Sequence, residues 1–307
     1  MKVISIMGHG RSGSTVLGLV LGGHRNFECV GELHKLSRSG WTRDDARRCA
    51  CGVPIHECEY WADVYRRWID KVGSDGLERY VGLQNRFERS RWWWPRLLVE
   101  GRQKSSSFLV YSEMTAALYE AISEVSGKGV VVDTSKPPIR NYALLLNDSL
   151  DTHLIHLIRD GRGTVWSLSK SQRRDVEAGI PRDRPPRPAW RTSLRWALTN
   201  LESEWVAARA GRAHAVRVTY ERFVERPGEI LRDVGLLAGE DFSEVDRALQ
   251  AGEAFAAGHS VGGNQLRMAR RVVLLPDFEW RAKLPSRDEQ IFWRISGRLA
   301  QRYGYRR

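Results

Sequence analysis

From Gly8 to Thr15 the chain reads G-H-G-R-S-G-S-T, one residue away from the phosphate-cradling pattern G-x-x-x-x-G-K-[ST]. Ser14 stands where that pattern has its lysine, and a cation, Arg11, lies inside the loop. Backbone N–H groups of Gly10, Arg11, Ser12 and Gly13, at the start of a helix, converge on one anion with help from the helix dipole. Ser14 and Thr15 add hydroxyls, and the guanidinium of Arg11 offers a planar fork for phosphate or sulfate oxygens. Without the lysine that reaches β and γ phosphates, nucleoside-triphosphate chemistry is disfavoured.

Three further stretches carry chemistry. In LIRDGRGTVWSLS, Arg159 ends a strand and Ser167 follows eight residues later in a helix, placing a guanidinium and a hydroxyl at one helix mouth. That suits a second phosphate, although a surface arginine more often pairs with an acid such as Asp160. In VVDTSKPP, Lys136 sits at a strand tip and is expected to point over the sheet edge toward the first loop. In CVGELHKL, Glu32 follows a glycine and is either a general base or a solvated carboxylate.

Positioning these groups requires a parallel α/β sheet. KVISIMG, VVVD, THLIHLI and HAVRVTY read as buried strands, each followed by a loop and a helical stretch. In such sheets ligands bind at the carboxyl edge, where all of these loops lie except that of Glu32, which the pattern places just beyond the first helix. The expected fold is a three-layer, P-loop-like α/β fold over residues 1–307, with a central parallel sheet flanked by helices. A helical insertion on the acceptor side is expected at 40–126, and a mobile Pro/Arg-rich loop at 172–189.

Bulk properties narrow the class without choosing a ligand. Lys and Arg number 49 against 37 Asp and Glu, a net charge of +12 that favours polyanionic partners. The arginines are scattered and no zinc-finger or RNA-recognition signature is present, so a basic nucleic-acid-binding protein is the weaker reading. No apolar run approaches a membrane span, and Val3–Met7 is too short for a signal-peptide core, so a cytoplasmic protein is expected. Cys49, Cys51 and Cys58 cluster around His56 in a spacing that is not a standard zinc pattern. Reduced thiols or a local clip are favoured there, and no metal is expected.

Taken together, GRSGST, CVGE, DTSK and RDGRGTVWS resemble the sulfotransferases that use 3′-phosphoadenosine 5′-phosphosulfate (PAPS), nearest the tyrosylprotein and bacterial branch. The resemblance implies that the first loop binds the 5′-phosphosulfate and that Arg159 and Ser167 bind the 3′-phosphate. Glu32 matches the base position of that branch, with His34 as second choice, and Lys136 and Arg11 would stabilise charge on the leaving group. VTYERFVERPGEIL resembles a family stretch whose tyrosine lies near the adenine, which carries over to Tyr220. HSVGGNQLRM resembles a late loop closing over the 3′-phosphate, implying Gly263, Asn264 and Arg267. A C-x-C-G…C-x-x-W pattern in the insertion also occurs in bacterial members.

The sequence departs from the family at Gly10, where many relatives have proline, and in lacking an aromatic after Thr15. Pro137 and Pro138 stand where the steroid and phenol enzymes place a histidine base. The implied reaction moves a sulfuryl group from PAPS, leaving 3′-phosphoadenosine 5′-phosphate (PAP), with no metal required. The expected acceptor is a hydroxyl of a carbohydrate, lipid-linked glycan or natural product. A P-loop small-molecule kinase is the rival enzyme, and Ser14 speaks against it.

Overall fold

The computed structural model describes residues 1–41, 47–88 and 94–307. Five strands, β1 (Lys2–Met7), β2 (Phe27–Gly31), β3 (Val130–Asp133), β4 (Asp151–Ile158) and β5 (Ala215–Thr219), form one sheet in the order β2-β3-β1-β4-β5. Every pairing is parallel, with Lys2 opposite Val130 on one side and Asp151 on the other. Strands buried on both faces read as continuous apolar runs, which is what VISIM, VVV and HLIHLI are.

Alternate residues divide between two cores. Val3, Met7, Val131 and Leu154 face a cluster that continues into Trp61, Trp68, Tyr80 and Tyr111 of the insertion. Ile4, Ile6, Val132, Ile155 and Leu157 face the helices Ser14–Gly22 and Pro227–Ala238. The insertion is helical, with segments at Glu59–Val72, Gly76–Phe87 and Ser106–Ser126. Trp94 packs edge-on against Trp205, an anchoring role, whereas Trp92 and Trp93 lie outside the described residues.

One strand escapes the sequence pattern. β2, FECVG, interposes a glutamate and a cysteine among its apolar residues and is five residues long, so it shows neither alternation nor a clean apolar run. It places Glu32 at the end of a strand and not directly after the first helix. Segment 172–189 folds back on itself through backbone bonds between Gln172 and Arg184 and between Asp175 and Ile180. Among the described residues no helix is long and apolar enough to cross a membrane.

Candidate active site

All five strands deliver a chemically distinctive residue or loop to the carboxyl edge: Gly8–Ser14 after β1, Glu32 after β2, Lys136 after β3, Arg159 after β4 and Tyr220 after β5. β1 lies between β3 and β4, so its loop opens into the crevice where connections leave in both directions.

The loop starts at Gly8, whose φ is +143° and where a Cβ would stand 2.3 Å from the carbonyl oxygen of Leu157 in β4. Its amide donates to the carbonyl of Lys136 at 3.2 Å, tying the exits of β1 and β3 together. Arg11 has φ +72° and Gly13 +91°, with Ser12 of ordinary hand between them. Such alternation turns successive N–H groups to one side, forming an anion nest. A left-handed arginine is strained by about 1 kcal/mol or more, a cost typical of functional loops. The helix Ser14–Gly22 begins with no side-chain cap and no acid in its first turn, leaving its first amides without a capping side chain of their own.

The second station is built around Arg159. Its Nη1 donates to the carbonyl of Arg11 at 3.3 Å, and its Nη2 to the carbonyl of Asp277 at 2.6 Å, with the Asp277 carboxylate at 3.0 Å. The guanidinium lies 4.5 Å over the ring of Tyr220, whose hydroxyl accepts the Asp277 amide at 2.9 Å. The same ring underlies the loop: a Cβ on Gly13 would meet it at 2.5 Å. Asp160 does not pair with Arg159; it caps the helix Gly161–Ser169 and binds Arg162. Ser167 lies half-buried in that helix.

The third station is Glu32, which pairs with Lys136 through Oε1 and with Lys35 through Oε2. Burial would raise its pKa, but the ammonium groups of Lys136 and Lys35 outweigh that and hold it well below the usual carboxylate range. His34 sits next to it, its Nδ1 3.0 Å from Ser135 Oγ, with burial pushing its pKa down to about 3. His9, inside the first loop, is similarly lowered to about 4 by burial. Both imidazoles are therefore neutral at pH 7.

The late loop closes this side. Gly263 abuts Thr15, and the Asn264 amide donates to Thr15 Oγ1 at 3.0 Å. Arg267 was expected beside Arg159 and Ser167; the fold places it instead on the Glu32 side. The loop returns along the cysteine turn, so Arg267 donates to the carbonyl of Arg48 at 3.0 Å. There it joins Lys35, Arg47, Arg48 and Arg184 around a cavity of about 10 Å³. Arg11 reaches toward the same side, donating to Gln172 Oε1 at 2.8 Å.

Lys35, Gln172, Arg184 and Asp277 were not foreseen from the sequence. Lys35 had a signal, three residues after Glu32 in a short turn, while the others come from segments with no local pattern.

The family model described as "Sulfotransferase family" matches residues 4–244. The chain belongs to the sulfotransferase family. The sulfotransferase domain of the Synechococcus PCC 7002 olefin synthase superposes with a TM-score of 0.51 at 17% identity, covering 100% of this chain and 96% of that one. The sulfotransferase domain from the curacin biosynthetic pathway gives 0.50 at 15% identity, covering 99% and 98%. At these identities the likeness is one of fold, the expected three-layer P-loop-like architecture. No match is found among curated proteins. Within this sulfotransferase, Gly263, Asn264 and Arg267 lie beyond the matched residues, yet Gly263 and Asn264 meet Thr15 of the glycine loop.

Proposed function

We propose that the protein is a PAPS-dependent sulfotransferase acting on a hydroxyl of a carbohydrate, lipid-linked glycan or natural product. The observation that carries this reading is an excess of positive charge around the glycine nest, buried at Arg267 and part-buried at the other cations. Arg11, Lys35, Lys136, Arg184 and Arg267 face a single central carboxylate, Glu32. Burial chiefly lowers the pKa of Arg11 and Arg184, with neighbouring arginines adding to it and Glu32 opposing it. Such a cluster is relieved by a polyanion. Nε of Arg159 and both Nε and Nη1 of Arg267 are buried without protein partners, donors that fit phosphate or sulfate oxygens.

Bound PAPS supplies an activated sulfuryl group. The loop amides and Arg11 would hold its 5′ end, and Arg159 and Ser167, with Tyr220 beneath, its 3′-phosphate side. Lys136 is shared between Glu32 and the anion. As Lys136 turns to the anion, Glu32 loses one of its two ammonium partners and regains basicity. It then takes the proton of the acceptor hydroxyl, a role worth roughly 10²–10⁴-fold. His34, neutral and weakly basic, is the alternative proton acceptor. The cavity between Lys35, Arg184 and Arg267 holds about one water, so segment 172–189 lifts to admit the donor. No metal takes part in the transfer, and a soluble cytoplasmic setting suits the donor.

The test is label transfer from radiolabelled PAPS to a panel of hydroxylated acceptors, with Glu32→Gln beside wild type. Turnover is expected to fall at least 100-fold in Glu32→Gln with PAP affinity nearly intact. Stabilisation only by Mg·ATP, with no response to PAP, would favour the kinase and overturn the reading.

A further inference from the structure

Cys49, Cys51 and Cys58 were set aside as an unusual spacing, yet folding brings His259 to them from 201 residues beyond Cys58. The four donor atoms lie within 4.8 Å of one another. Cys51 Sγ is 3.7 Å from Cys58 Sγ, and His259 Nδ1 is 3.3 Å from Cys58 Sγ and 3.6 Å from Cys49 Sγ. A tetrahedral zinc with bonds of about 2.3 Å to sulfur and about 2.0 Å to nitrogen sets its sulfurs about 3.8 Å apart and each about 3.5 Å from the nitrogen. These three separations match edges of that tetrahedron, and the remaining pairs lie within 4.8 Å. We infer that Cys49, Cys51, Cys58 and His259 form a structural zinc site that fastens the late loop to the insertion. This inference does not rest on the donor assigned above.

Backbone donors face two of the three sulfurs. The Cys51 amide bonds to Cys49 sulfur and the Trp61 amide to Cys58 sulfur. Cys58 also precedes the helix Glu59–Val72, whose positive end favours a negative sulfur. The chain turns tightly between the first two ligands, with the Gly52 amide donating to the Cys49 carbonyl at 2.9 Å. Tyr60 lies flat on the His259 ring at 4.6 Å and 4°, and Trp61 Nε1 donates to the His259 carbonyl at 2.8 Å, so the imidazole is held from both ends. Four protein ligands leave no open position, which marks a structural and not a catalytic ion, and three thiolates with one imidazole favour zinc.

The site lies where it would stiffen the cleft. Cys49 bridges to Val261, Val261 bridges to Gly31, and the Glu32 amide donates to the Val261 carbonyl at 2.6 Å. A metal holding Cys49 to His259 therefore fixes the loop that carries Gly263 and Arg267 against the strand that carries Glu32.

Elemental analysis and native mass spectrometry of the reduced, full-length protein test this directly. One zinc per chain is expected, and chelator-stripped protein should take up one Co²⁺ with the strong visible bands of a tetrahedral thiolate site. Cys58→Ser and His259→Gln should lose that spectrum, while Cys29→Ser, outside the cluster, should keep it. Metal removal should speed tryptic cleavage at Arg48 and Arg267. Wild-type protein that takes up neither Zn²⁺ nor Co²⁺, or that contains a Cys51–Cys58 disulfide, would overturn the site without requiring any variant to fold. Unchanged cleavage on stripping would overturn its fastening role.

Discussion

Arg140 and Arg267 are both almost wholly buried, at 1% and 3% exposure, and their surroundings push them in opposite directions. Arg140 binds the carboxylates of Glu88 and Asp133 and the hydroxyl of Tyr119, with Tyr111 completing Glu88. Burial acts against its charge, but Glu88, Tyr119 and Asp133 more than compensate and raise its pKa well above the usual value. Among the described residues Arg267 makes one hydrogen bond, to a carbonyl, and two of its nitrogens have no partner. Burial, reinforced by Arg47 and Arg184, lowers its pKa despite Glu32. One cluster is complete within the protein; the other leaves donors open for the proposed anion. The complete cluster also serves the incomplete one, because Asp133 accepts the Ser135 amide at 2.7 Å and so sets the turn that presents Lys136.

The contrast breaks most sharply under truncation. Arg140→Met strands two buried carboxylates and should cost about 3–5 kcal/mol of stability, read by urea unfolding. Arg267→Met removes a charge from a crowd of like charges and should leave the unfolding free energy unchanged or slightly higher. Equal destabilisation by the two would show that the cleft is an ordinary structural ion cluster.

Ligand binding sharpens it next. PAP at about 100 times its dissociation constant should stabilise the wild type by about 2.7 kcal/mol without Mg²⁺. Arg159→Ala should weaken that binding about 10- to 100-fold, the loss of one charge-assisted contact of about 1.5–3 kcal/mol, measured by calorimetry. Unaltered affinity would remove Arg159 from the anion site.

A further contrast is in pH. His9 and His34 border the cleft and His156 is buried beside Asn200, with burial lowering their pKa values to about 4, about 3 and about 4. In the unfolded chain each takes up a proton near pH 6.5, so between there and those values the unfolded state binds more protons. Stability should therefore fall as pH drops from 6.5 toward 4, by up to about 1.4 kcal/mol per pH unit for each histidine. A flat urea midpoint across that range would mean that the imidazoles are charged in the fold.

Much of this architecture was legible in the chain itself because β1, β3, β4 and β5 are short apolar runs whose ends carry marked residues. Gly8–Thr15, Lys136 and Arg159 could be named because each lies in a local pattern at the exit of a legible strand, whereas Glu32 and Tyr220 were named through the family-like stretches around them, β2 itself having escaped the pattern. Arg184, Gln172 and Asp277 could not, since what qualifies them is proximity created by chain return. His259 is the clearest case: His56 is the imidazole nearest the cysteines in sequence, yet it lies beside Glu57. Arg267 was expected beside Arg159 and Ser167 but lies beside Arg48, because a loop's direction of return leaves no trace in local spacing.

Gly8 has a consequence for the width of the cleft. Its missing methyl lets the tips of β1 and β4 touch, and Arg159 stands two residues past the Leu157 carbonyl it would otherwise strike. Any larger residue would wedge the two tips apart and carry the guanidinium away from the Arg11 carbonyl it now reaches. The gauge between the two anchoring stations is thus set by a hydrogen atom, and alanine at this position should loosen the grip on a ligand without altering any group that touches it.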